Sequence, residues 1–168
     1  MTRDQTARSV LQGQLAIEWS FANDFIIGKT SPDLAVWKPT PTSPTVHETT
    51  DGWIADWIDE PDAAAPIAPS TIGWLLWHIE WWWTNTLAQV DNQPVTDPTD
   101  FFWSGGTDRI VELKAKWDQV LATRSMDEPI SWVMPEPQPL GRVAGWLNFE
   151  LAKNLTEINQ TLMLHATL

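Results

Sequence analysis

The sequence predicts an all-α fold, on three observations. Four segments carry apolar residues at three- and four-residue steps, the spacing of one helix face. Proline-rich stretches separate them, with 13 prolines in 168 residues. No run alternates apolar and polar residues over a length useful for a strand. Helices joined by long links, with no internal repeat and no second domain, fit a four-helix bundle with long proline-rich connections over residues 1–168.

The first helix is expected from about Asp4 to Ile27, with Ala7, Val10, Leu11, Gln14, Ile17, Phe21 and Phe25 on its inner face. Gly28 ends it. Pro32, Pro39, Pro41 and Pro44 make 31–45 a connection with little regular structure. Trp53 and Trp57, four apart within Asp51–Glu60, have the spacing of one or two helical turns. Pro61, Pro66 and Pro69 keep the chain irregular up to the second long helix, about Ser70–Val90, for which Ser70 is a suitable N-cap.

That second helix is the centre of the domain. From Ile72 to Trp83 only Gly73, His78 and Glu80 are not large apolar residues. A helix apolar on nearly every side must be surrounded by other elements, and this run is too short to span a bilayer. Turn spacing places Trp74 and Leu75 before His78, and Trp81 and Trp82 after it, on one face. Asp91–Ser104 then forms a loop closed by Gly105 and Gly106. The third helix, about Thr107–Thr123, turns Ile110, Leu113, Trp117, Val120 and Leu121 inward. Residues 125–141 are a second proline connection, in which 134–139 suits an extended polyproline-like strand. The last helix runs from about Arg142 to Leu164.

Composition narrows the function. Net charge is −12, from Lys+Arg 10 against Asp+Glu 22, which disfavours nucleic acid and anionic membrane as partners. With no cysteine there is no disulfide, no thiolate ligand and no Cys nucleophile. Met1-Thr-Arg-Asp-Gln begins no signal peptide, so the cytoplasm is the expected location. There are 13 tryptophans and no tyrosine; large rigid indoles of this kind fill the space between helices. Trp53, Trp57 and Trp103 fall in links, where an exposed ring could line a cleft.

The last helix carries a polar stripe. Glu150, Asn154, Glu157, Thr161 and His165 recur at three- and four-residue steps and share a face. On a helical wheel this stripe lies between Val143, Leu147, Leu151 and Ile158 on one flank and Trp146 and Leu164 on the other. The outward side is expected to be Asn148, Thr156, Asn159 and Gln160. Glu150 and Asn154 therefore point inward, where buried polar groups need partners, and His78 is the partner at hand. His78 is then a ligand, a general base or a satisfied core histidine. Glu150 is a ligand, an acid/base group or the hydrogen-bond partner that fixes His78. His47 lies in a proline-bounded loop, solvated or leaning over the pocket mouth, and His165 is expected to be exposed.

These residues resemble the DinB/YfiT-like family of four-helix bundles. Ile72-Gly-Trp-Leu-Leu-Trp-His78-Ile resembles the family's second helix, which supplies one histidine metal ligand. Leu34-Ala-Val-Trp-Lys-Pro39 resembles the short stretch after its first helix. Asn148-Phe-Glu-Leu-Ala-Lys-Asn-Leu-Thr-Glu-Ile resembles a branch that lacks the two further histidines of the metal triad. The resemblance spans the chain in helix order and implies a DinB-like fold and thiol chemistry, since characterised members include metal-dependent transferases and isomerases that use low-molecular-weight thiols. Carried over by position, the triad becomes His78, Glu150 and Asn154. An Asn oxygen is a weak neutral ligand, so no metal is expected; a divalent ion such as Zn²⁺ or Ni²⁺, if present, would sit on His78 and Glu150.

Two readings of function follow. In the first, this is a small-molecule-binding bundle with a degenerate metal site and a pocket of His78, Glu150, Asn154, Trp74, Trp81, Trp82 and Trp146. In the second, it is a metal- or histidine-assisted, thiol-dependent transferase or isomerase acting on small electrophiles. A homodimer is also expected, because family relatives pair and a small Trp-rich bundle can leave an apolar patch uncovered.

Overall fold

A computed structural model describes residues 2–57, 68–132 and 136–167. The chain is mainly helical, with long helices α1 (Arg3–Phe25), α3 (Ile72–Val90), α4 (Asp108–Thr123) and α5 (Leu140–Ala166) and a short α2 (Pro32–Val36). Two small antiparallel pairs accompany them: β1 (Val46–Thr49) with β2 (Gly52–Ala55), and β3 (Pro129–Ile130) with β4 (Gln138–Pro139). The long helices pack in a ring, with α1 on α5, α5 on α3, α3 on α4 and α4 on α1.

Local chemistry sets the helix starts. Thr2 and Gln5 form a reciprocal capping box at α1. Ser31 caps α2, with Pro32 at its first position. Thr71, rather than Ser70, caps α3: its Oγ1 accepts from the Trp74 amide at 3.3 Å. Two carbonyls at the C-terminal end of α4 are satisfied from α1, where Arg8 donates to Leu121 O at 2.6 Å and to the C-cap Arg124 O at 2.8 Å.

The core joins Leu11 and Leu15 of α1, Leu75, Leu76 and Trp77 of α3, Ile110, Leu113, Trp117 and Leu121 of α4, and Val143, Leu147, Leu151 and Ile158 of α5, all buried. Full burial of a side chain of this kind contributes roughly 1.5–3 kcal/mol. The inner stripe expected for α4 is thus the one observed, with Val120 half-buried at its edge.

Several expectations need correction. The inner face of α1 is rotated by about one residue, or roughly 100°. Leu11, Leu15 and Ala22 are buried, whereas Val10, Ile17 and Phe25 are 55%, 75% and 50% exposed. α1 carries apolar residues on more than one side, so periodicity alone could not choose between them. Gly52–Ala55 is a strand, not a helical turn, and Trp53 exchanges backbone hydrogen bonds with Trp103. Residues 58–60 of that expected turn lie outside the described residues, as do 134 and 135 of the expected polyproline stretch. Asn148 is buried rather than outward, because its Nδ2 donates to Leu11 O at 3.0 Å.

Gly73 explains how the first half of the chain closes on α3. A Cβ there would lie 2.7 Å from Val46 Cγ2 and 3.0 Å from the Ala35 carbonyl oxygen. Only a glycine lets α2 and β1 approach the first turn of α3 this closely.

Candidate functional site: the seam between α3 and α5

Trp74, His78 and Trp82 recur every four residues along α3 and share one face. Trp146, Glu150, Asn154 and Glu157 form the matching row on α5, which packs against α3. At the centre of this seam His78 is 9% exposed. Its Nδ1 lies 3.3 Å from Asn154 Oδ1, and its Nε2 lies 2.8 Å from Trp82 Nε1.

These two contacts fix the tautomer. An indole N–H can only donate, so His78 Nε2 must be the acceptor. The proton of the neutral imidazole is then on Nδ1, which donates to Asn154 Oδ1. The orientation of Asn154 agrees, because its Nδ2 donates to the Glu150 carbonyl oxygen at 2.8 Å. Trp74 stacks on the imidazole, with ring centroids 5.0 Å apart and planes 19° apart. Burial, with a smaller contribution from the nearby Lys153 charge, lowers the His78 pKa to about 4 against the opposing Asn154 hydrogen bond. The imidazole is therefore neutral and uses both nitrogens within the protein.

Glu150 does not bond to His78. Its side chain is 15% exposed, and Lys153 Nζ approaches Oε2 at 3.1 Å. That approach lacks hydrogen-bond alignment, so Oε2 is a buried acceptor with no donor directed at it. One turn further on, burial raises the pKa of half-buried Glu157, with Lys153 opposing the rise and Glu150 adding to it. The fixing of His78, which sequence reasoning offered to Glu150, falls to Asn154 and Trp82.

Trp82, Trp146 and Trp132 pack edge to face or tilted, with centroids 4.5 Å apart for Trp82–Trp146 and 4.6 Å for Trp132–Trp146. Trp132 was not picked out from the sequence because it sits in a proline connection. Trp81 leaves the His78 face and donates to Thr96 O at 2.9 Å, helping α3 hold the 91–107 loop. Asn85 holds the same loop by exchanging two hydrogen bonds with Thr96. Glu80 also faces that loop. It is 1% exposed and accepts from Ser104 Oγ at 2.6 Å, and burial pushes its pKa up to about 7 against that hydrogen bond. Only its position as a lone carboxylate in an apolar run could have marked it.

The remaining candidates lie elsewhere. His47 is on β1 and pairs with Asp56 at 2.7 Å, and the Asp56 carbonyl oxygen in turn accepts from Trp74 Nε1 at 2.7 Å. His165 is exposed and meets Trp37 edge to face at 5.1 Å. Trp103 is buried at 2% exposure rather than lining a cleft. The cleft of about 400 Å³ between α3 and α4, lined in part by Thr84, Arg109, Lys116 and Arg124, does not include His78.

A catalytic metal of the family kind does not fit these residues. Such a site needs about three good ligands and an open position. Here the Nε2 lone pair of His78 is occupied by Trp82, and Nδ1 carries a proton. Among the described residues no group of three His, Cys, Asp or Glu side chains is arranged to hold a metal ion. No helix among them is long and apolar enough to cross a membrane. No family model, curated protein or solved structure matches the chain.

Proposed function

We propose that this chain is a DinB-like four-helix bundle that binds a small molecule along the α3–α5 seam, with no metal at His78. The observation that carries the reading is Glu150 Oε2, a buried carboxylate oxygen with no aligned donor, set between Trp146 and Asn154 on α5. Ligand sites combine an apolar or aromatic wall with a few convergent polar groups. Half-buried Trp74, Trp82 and Trp146 are such a wall, and Glu150, Lys153 and Glu157 are such groups. A ligand with a hydrogen-bond donor beside an apolar body, a low-molecular-weight thiol such as glutathione among them, would satisfy Glu150 and cover the indoles. The reading places the protein in the cytoplasm, with no nucleic-acid partner. The metal-assisted transferase reading requires His78 Nε2 to be released from Trp82.

The test is saturation-transfer NMR on protein purified without a metal-affinity tag, using reduced glutathione and a set of aryl amines as probes. Binding that is lost in Glu150→Gln and in Trp74→Ala is expected. Probe binding that ignores both substitutions, or stoichiometric Zn²⁺ that disappears in His78→Ala, would overturn the reading.

A further inference from the structure

We propose that Trp82 and His78 form a one-electron redox pair, in which Trp82 gives up an electron and its indole proton passes to His78 Nε2. This goes beyond ligand binding and does not depend on it. The first ground is the acceptor. Trp82 Nε1 donates to an imidazole nitrogen at 2.8 Å. The other indoles with described acceptors donate to oxygen: Trp74 to Asp56 O, Trp77 to Phe101 O, Trp81 to Thr96 O, Trp103 to Gly106 O and Trp132 to Thr86 Oγ1. Carbonyl and hydroxyl oxygens are far weaker proton acceptors than an imidazole lone pair.

The second ground is connectivity. Trp82 meets Trp81 at 4.6 Å, Trp146 at 4.5 Å and Trp132 at 5.8 Å between centroids. Trp81 continues to Trp77 at 6.2 Å, and Trp77 to Trp74 at 5.6 Å. Trp74, Trp81 and Trp146 are half-buried and so reach solvent. An electron vacancy created on an outer ring can therefore pass by ring contacts to Trp82. The third ground is competition: the sequence has no tyrosine and no cysteine, the phenol and thiol that would otherwise compete for it.

The step balances as follows. A one-electron oxidant, such as a diffusing radical, takes one electron from an outer indole and is reduced. Electron transfer between neighbouring rings moves the vacancy to Trp82. There the Nε1–H bond breaks, and the proton forms a new N–H bond at His78 Nε2. The products are a neutral Trp82 radical and an imidazolium whose Nδ1–H still donates to Asn154 Oδ1. A one-electron reductant reverses the step. Burial makes resting His78 a weak base, with a pKa of about 4; an oxidised indole N–H is much more acidic than the resting one, and His78 is the nearest nitrogen base to it.

The experiment uses the full chain with photogenerated tris(bipyridine)ruthenium(III) as the oxidant, followed by transient absorption and electron paramagnetic resonance. A neutral indolyl radical whose formation slows in D₂O is expected in the wild type. Trp82→Phe should remove that signal. His78→Gln, which keeps a hydrogen-bonding amide but cannot take the proton, should give the indole radical cation in its place, with circular dichroism confirming that the variant is folded. The same neutral radical in the wild type and both variants, or no tryptophan oxidation in the wild type, would overturn the proposal.

Discussion

Replacing Glu80 by glutamine should stabilise the protein at neutral and alkaline pH. The Glu80 carboxyl is 1% exposed, and its hydrogen bonds come from Ser104, at 2.6 Å from Oγ and 3.4 Å from the amide. Burial raises its pKa from 4.5 to about 7, with Arg109 too weak to restore it. A folded-state pKa above the unfolded one means that the native chain holds a proton the unfolded chain has lost. The stability this group contributes is complete below pH 4.5 and is lost as pH rises through about 7. Once the carboxyl is ionised in both states, the shift corresponds to about 3 kcal/mol. Glutamine keeps an acceptor for Ser104 and never ionises. In urea unfolding, Glu80→Gln should match the wild type within about 0.5 kcal/mol near pH 4 and exceed it by about 2–3 kcal/mol near pH 9. An equal difference at both pH values would show that Glu80 is not held protonated by burial.

Other outcomes follow from the same packing. The difference between wild type and Asn154→Ala should be about 1–3 kcal/mol of stability, because the substitution leaves the buried His78 Nδ1–H without an acceptor; a loss below about 0.5 kcal/mol in urea unfolding would contradict the pairing. His78 itself titrates with the opposite sign to Glu80. Its pKa is lowered from 6.5 to about 4, so its contribution is present above pH 6.5 and is lost as pH falls through about 4. The Glu80→Gln protein should therefore gain stability between about pH 4 and 6.5, where the wild type is flatter. Gly73→Ala must push β1 and α2 off α3 and should cost about 1–3 kcal/mol, read as a lower thermal midpoint; an unchanged midpoint would refute the close approach. Isothermal titration should detect no stoichiometric Zn²⁺ site in the wild type, whereas Glu150→His, Asn154→His and Trp82→Phe combined should introduce one; tight Zn²⁺ binding by the wild type would contradict the satisfied imidazole.

Much of the architecture was legible because it rests on burial patterns that repeat along each helix. α3 is apolar nearly all round and packs on both α4 and α5. The single stripe of α4 has one solution, and it is the one observed. α1 has two, and the choice depends on where α5 lies, which periodicity does not reveal. The β1–β2 pair is too short to produce an alternation, so Trp53 and Trp57 could imitate helical spacing. Within the seam, the inward turn of Asn154 was readable because apolar residues flank it on both sides of the wheel. The burial of Asn148 was not, since an asparagine that bonds a neighbouring helix's carbonyl looks in sequence like one that bonds water. The roles of Trp82 and Lys153 were equally hidden. Both depend on side-chain directions at one turn's distance, where Trp82 Nε1 reaches back to His78 and Lys153 Nζ approaches Glu150 Oε2 at 3.1 Å.

The most direct measurement of the seam is the protonation state of His78, read by long-range ¹H–¹⁵N correlation of the imidazole across a pH titration. A neutral ring protonated at Nδ1, with Nε2 coupled across the hydrogen bond to the Trp82 indole proton and no titration until about pH 4, is the predicted result. A ring protonated at Nε2, or one that titrates near its ordinary pKa of 6.5, would contradict it.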